Sequence, residues 1–244
     1  EISLGLVGSE MCIRDSFTPS DSVQDVTLFA KYTLRADEMF LNRMIGGTFE
    51  GSNDPDFREK EVLYLINEKP KRLQTVVQSY SSKSYRYVRY IGPKDSHCNI
   101  AEAAFYTPND TASLKGKVIG TPGCFQKDGS HEYTNVFDGD VTTSFDYIEP
   151  SGGWSGLDLG TPKQIGRIVY TPRSYDNYIR SGDDYELFYC ARRNNWKSLG
   201  DQRSKADSLI YIKIPVNALL LLCNNTRGIQ ERIFVYTAAE QIWK

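Results

Sequence analysis

The chain has 244 residues, of which 40% are hydrophobic and 25% charged, and 29 basic against 31 acidic side chains leave a net charge of −2. This composition belongs to a folded globular chain, and the lack of a basic stripe argues against nucleic acid as the main ligand. Five cysteines without a CxxC pair, together with only two histidines, exclude a zinc cluster, and no apolar run reaches the ~18 residues of a membrane-spanning helix.

Residues 1–16 have no cationic start and no small-residue cleavage site, so they make a poor signal peptide. They resemble translated sequencing-adapter text and are set aside as a non-native leader. Residues Arg35 to Arg43 carry the one short helical period. After that the pattern alternates with period two. Strands are predicted at Thr48 to Gly51, Val62 to Ile66, Tyr85 to Ile91, Ala101 to Tyr106, Ser155 to Leu159, Ile165 to Thr171, Asp184 to Tyr189, Ser208 to Ile214, Ala218 to Cys223 and Ile233 to Tyr236. Clusters of Gly, Pro, Asn and Asp separate them at sandwich-like spacing, so the fold class is all-β, an antiparallel β-sandwich. Odd cysteine number and irregular spacing favour free, partly buried thiols, with one or two disulfides as the alternative.

Two stretches resemble each other. Tyr85 to Tyr90, a polar loop and Asn99 to Tyr106 match Ala218 to Leu222, a shorter loop and Gly228 to Tyr236; each second strand is led by a glutamate (Glu102, Glu231) and ends on tyrosine. Upstream, Gly47 to Asn53 parallels Tyr185 to Tyr189 followed by Asn194-Asn195-Trp196. Two sandwich units in tandem fit this repeat. The turn formers Thr107-Pro108-Asn109-Asp110-Thr111 mark the expected boundary, giving a partial unit over 17–106 and a complete one over 107–244.

The segment Val136 to Phe145 packs Asp138, Gly139, Asp140, Thr142 and Thr143 into one turn. Calcium needs six to eight oxygens at mixed angles, and such a turn supplies them. An ordinary Asp-Gly turn, with Asp138 bonded to its own backbone, accounts for the same residues. Further on, Thr171 to Asp184 is long, polar and aromatic at once. Arg173, Asn177 and Arg180 offer donors, Asp176 an acceptor, and Tyr175 and Tyr178 flat faces for a sugar ring; Trp154 can add a platform. Salt bridges from the arginines to Asp183, Asp184 or Glu186, and a core-capping Trp154, are the structural alternatives. With no apolar spikes on this loop, a lipid surface ranks low. Cys98 beside His97 does not make a nucleophile–base pair if the two sit on a strand and point apart, and no Gly-x-Ser-x-Gly elbow occurs.

The acidic turn, followed by Gly153-Trp154-Ser155-Gly156-Leu157-Asp158-Leu159-Gly160 and later by Ile168 to Arg173, resembles the discoidin family of coagulation-factor type C, or galactose-binding-like, domains. The likeness spans 110–244 well and 43–106 in part, as in tandem modules of exported proteins of gut Bacteroidota. It implies a galactose-binding-like jelly roll without catalysis, set in a larger protein that is extracellular, at the cell surface or periplasmic. It implies glycan or cell-surface polysaccharide as partner through Arg173, Tyr175, Asn177, Tyr178, Arg180 and Trp154. It also implies a structural Ca2+ held by Asp138, Asp140, Thr143 and Glu231. A structural or protein-interaction module with no small ligand is the alternative.

Overall fold

A computed structural model describes residues 17–31, 35–192, 195–228 and 232–244. Its elements are β1 (Val23–Leu28), α1 (Arg35–Asn42), β2 (Thr48–Ser52), β3 (Lys60–Leu65), β4 (Thr75–Gln78), β5 (Ser84–Ile91), β6 (Glu102–Tyr106), β7 (Lys117–Gly120), β8 (Trp154–Gln164), β9 (Arg167–Thr171), β10 (Asp184–Arg192), β11 (Asn195–Arg203), β12 (Leu209–Pro215), β13 (Leu219–Asn224), β14 (Ile233–Thr237) and β15 (Glu240–Trp243). Two short 3-10 turns, Phe125–Lys127 and Tyr133–Phe137, lie between β7 and β8. Every strand pairing is antiparallel. The expected all-β antiparallel sandwich is what the chain forms.

The described residues divide into two compact units, one inserted in the other along the sequence only: those of 34–176 form what is called the inner unit, those of 1–33 and 177–244 the outer. In the inner unit a five-stranded sheet, β3-β2-β5-β8-β7, faces a three-stranded sheet, β4-β9-β6. Alternation along each strand sends one face inward. Phe49, Val88, Tyr90 and Leu157 from the larger sheet meet Phe105, Ile168 and Tyr170 from the smaller in one buried cluster. Phe49 lies at its centre, with ring centroids 5.1 Å from Tyr90, 5.4 Å from Tyr170 and 6.0 Å from Phe105. The outer unit repeats the idea with a five-stranded sheet, β11-β10-β13-β14-β15, over the ribbon β1-β12. Val26, Leu28, Leu209 and Tyr211 pack there against Leu187, Leu220, Leu222 and Phe234.

This division differs from the one read from the sequence. Residues 107–111 are a turn inside the inner unit, with Thr107 Oγ1 donating to Asp110 Oδ2 at 2.6 Å, and the sheets run across it: β5 pairs with β8 and β6 with β9. The repeat itself is present in the topology. The order β3-β2-β5 in one unit matches β11-β10-β13 in the other. The copies then part, because β6 joins the three-stranded sheet whereas its counterpart β14 pairs beside β13. The complete eight-stranded sandwich therefore draws strands from both sides of the expected boundary.

Candidate functional site

The acidic turn follows the Tyr133–Phe137 turn in the inner unit. Gly139 takes φ +86°, a left-handed value that glycine adopts without penalty. Asp138 Oδ1 accepts the Asp140 N–H at 2.7 Å. Thr143 Oγ1 lies 2.8 Å from Asp138 Oδ2 and 2.9 Å from the Asp140 carbonyl, able to donate to either. Asp140 Oδ1 accepts from the Thr142 N–H at 2.9 Å and its hydroxyl at 2.6 Å. This is the self-bonded Asx geometry that the sequence offered as the alternative to calcium.

The turn also has a partner that the sequence reading left unassigned. Glu102, at the start of β6, accepts the Gly139 N–H at 2.7 Å. Burial pushes its carboxyl up to about 8, and a hydrogen bond with Asp138 pushes in the same direction. Glu231, the expected fourth ligand, lies outside the described residues. Among the described residues no group of three or more His, Cys, Asp and Glu side chains is placed to hold a metal. The donors that do converge are oxygens alone: Thr143 Oγ1 lies within 3 Å of both Asp138 Oδ2 and the Asp140 carbonyl, with Glu102 against Asp138. That chemistry suits a hard cation, which would relieve the contact between two carboxylates.

A second cluster lies at the loop end of the same unit. Asp146, just beyond the acidic turn, is buried and forms an ion pair with Arg173 Nη1. Its other oxygen accepts from Asn99 Nδ2 at 2.6 Å, and Asn99 Oδ1 accepts from Arg43 Nη1 at 2.9 Å. One buried carboxylate thus ties together the ends of three segments. Arg173 also lies 4.3 Å over the ring of Phe40 on α1, and Tyr175, 48% exposed, sits against the same ring at 5.7 Å.

Beside Arg43 an open groove of ≈ 480 Å³ runs between the C-terminal end of α1 and the Pro93–Ser96 loop, lined by Met39, Asn42, Arg43, Ile45, Lys94 and Asp95. The loop is held in place. Asp95 N donates to Ser151 Oγ at 3.0 Å, and Ser96 Oγ donates to the Pro93 carbonyl at 2.6 Å while accepting the Cys98 N–H at 3.1 Å. Three non-glycine residues here have positive φ, namely Asp95, His97 and Cys98, each strained relative to ordinary backbone.

The sequence-predicted ligand residues fall into two groups, because the division between units lies just after Asp176. Arg173, Tyr175 and Trp154 belong to the inner unit. Trp154 opens β8 on the outer face of the five-stranded sheet, half-buried, with Phe57 at 5.7 Å and the Arg89 guanidinium at 5.2 Å. Arg89 can lie flat there because residue 156 is glycine: a Cβ would come within 2.2 Å of the Val88 carbonyl and 2.7 Å of Arg89 Cβ. Arg89 in turn is bonded to the buried Glu50 through Nε at 2.9 Å and Nη2 at 2.7 Å. Asn177, Tyr178 and Arg180 belong to the outer unit. The Asn177 carbonyl accepts the Lys31 N–H, and Tyr178 bridges Ala30, which buries both side chains. Arg180 is half-buried, its N–H donating to Tyr185 Oη at 2.9 Å.

His97 and Cys98 sit in the strained loop rather than on a strand. His97 Nδ1 donates to the Tyr147 carbonyl at 3.0 Å, while burial pushes the Cys98 thiol up to about 12. The four described cysteines, Cys98, Cys124, Cys190 and Cys223, are free thiols. Comparison with protein-family models, with curated proteins and with solved structures finds no match.

Proposed function

We propose that the chain is a non-catalytic binding module of a larger exported bacterial protein, and that the loop end of its inner unit grips a glycan. The observation that carries this is the groove beside Arg43. It joins a polar rim to the apolar side chains of Met39 and Ile45, and the exposed ring of Tyr175 packs on Phe40 of the helix that forms one wall. Sugars present both hydroxyls and a C–H face, so they need such a mixture. The likeness to discoidin-type sequences and the antiparallel sandwich support the same reading. So does the Cys98 thiol, whose raised pKa keeps it out of nucleophilic chemistry.

In this reading the acidic turn takes calcium in a structural role, held by Asp138, Asp140, Thr143 and Glu102. The ion would fix the turn and leave ligand binding to the groove. A melting temperature that chelator does not change would remove the calcium assignment.

A glycan array tests the main reading. Wild-type chain is expected to give hits that weaken with Tyr175→Ala at unchanged melting temperature, and no hit above background would refute it. The burial of Asn177 and Tyr178 and the ion pair of Arg173 favour a second reading, a protein-interaction or structural module. It predicts that Tyr175→Ala leaves all glycan signals at background and weakens capture of another domain of the parent protein instead.

A further inference from the structure

We propose that the groove between α1 and the Pro93–Ser96 loop selects sugars bearing a carboxylate, of the uronic- or sialic-acid class. This deepens the glycan reading above and rests on it. The argument begins with charge. Arg43 and Lys94 both line the groove, and no carboxylate pairs with either among the described residues. Among the described residues the Arg43 side chain donates to the neutral amide oxygen of Asn99 at 2.9 Å, which leaves other guanidinium N–H groups to donate. Elsewhere in the unit five basic side chains are paired, Arg86 with Asp158, Arg89 and Lys60 with Glu50, Lys83 with Glu61 and Arg173 with Asp146, whereas Arg167 meets only the Asp110 carbonyl and the Tyr106 ring. What the groove adds is that two such cations, Arg43 and Lys94, share one lining.

The geometry of Arg43 sharpens the choice. Its anchor runs through Asn99 to the buried Asp146 and on to Arg173. The guanidinium is therefore fixed before a ligand arrives, and little side-chain entropy is lost on binding. A planar fork with fixed orientation matches a carboxylate in two-point fashion. Lys94, exposed on the opposite wall, adds a point charge that needs no exact geometry.

The rest of the lining limits what the carboxylate can be attached to. Asp95 lies on the same rim, so the local balance is one net positive charge. A dense polyanion would meet repulsion from Asp95, whereas a ring with a single carboxylate would not. The Asp95 carboxylate and the Asn42 amide, both exposed, suit ring hydroxyls. Met39 and Ile45, each 42% exposed, give the apolar contact that a C–H face requires. At ≈ 480 Å³ the groove falls within the range of small-ligand sites.

The test uses the whole chain on an array carrying neutral, uronate-bearing and sialylated glycans, beside a copy in which the carboxylates are methyl-esterified. Carboxylated glycans are expected to dominate the hits and to lose signal on esterification. Their binding should weaken when salt rises from about 0.05 M to about 0.5 M, which shortens the screening length several-fold. Among the described residues the Lys94 side chain makes no hydrogen bond, so the melting temperature of Lys94→Gln should match wild type while affinity for the acidic hits falls about three- to five-fold. Affinity for neutral glycans should not move. Hits confined to neutral glycans, or equal binding of acid and ester, would overturn the proposal and leave the glycan reading standing. An array with no hits at all would overturn both.

Discussion

Replacing Glu102 by glutamine tests the acidic turn most directly. The Glu102 carboxyl is raised from an ordinary value near 4.5 to about 8, first by burial and then by Asp138. A group whose pKa is higher in the folded chain than in the unfolded one favours folding while protonated. Its contribution is therefore complete below about 4.5 and is lost as pH climbs through about 8. The full shift would correspond to about 5 kcal/mol at 1.36 kcal/mol per pKa unit. Because the carboxyl is only partly buried, solvent screening reduces this to about 2 kcal/mol. Glutamine keeps the acceptor for the Gly139 N–H and donates to Asp138 without ionising. Glu102→Gln should thus match wild type at pH 5 and be more stable by about 2 kcal/mol at pH 9, a rise in melting temperature of roughly 4–8 °C for a chain of this size. Thermal melts from pH 5 to pH 9 in chelator read this out. Parallel curves for the two proteins would refute the argument. Calcium supplies a second arm: by holding Glu102 ionised it should flatten the wild-type pH dependence, and the variant should lose most of that gain.

Arg89→Met leaves Glu50 buried with only Lys60 at 2.9 Å to balance it and should cost 3–5 kcal/mol by urea unfolding, of the order found when one partner of a buried pair is removed. Adding Glu50→Leu should recover most of that loss, and a single-variant cost below about 1 kcal/mol would show the pair to be solvated. Phe49→Ala removes the ring that both sheets of the inner unit share and should cost about 3–5 kcal/mol; a smaller effect in the same assay would mean that the two sheets do not meet over Phe49. Thiol labelling at pH 7.5 should reach Cys98, Cys124 and Cys190 only as fast as the chain opens, since all three are buried, and modification of Cys98 within seconds in native buffer would contradict its burial.

Much of this architecture was legible where side-chain alternation is strong. Tyr85 to Ile91, with one face in the core, declares β5, and the apolar run from Leu219 declares β13. The strands without a counterpart among the expected ones, β1, β4, β7, β11 and β15, are short or rich in polar residues. Strand β11, Asn195–Arg203, is a polar edge strand, of the kind that edges require, and β4 and β7 have only four residues each. The repeat was visible because local pairing of neighbouring strands is written in sequence. The partition into units was not, because β6 and β9 meet across sixty residues, and period-two patterning carries no information about which sheet a strand joins. At the site, the oxygen-rich turn could be read from its residue types. Its neighbour Glu102 was noticed only as a counterpart of Glu231. The chain Arg43–Asn99–Asp146–Arg173 was invisible, since four loops distant in sequence supply its members.

The nesting of one unit inside the other also sets a timetable for synthesis. Among the described residues strand β1 pairs with β12 alone, with Leu28 opposite Leu209. At ribosomal rates of about 5–20 residues per second, the first strand waits roughly 10–35 s for its mate. Over that interval the intervening segment emerges whole and can collapse on its own sheets. Val26 and Leu28, meanwhile, must stay wet or be shielded by a chaperone until β12 arrives.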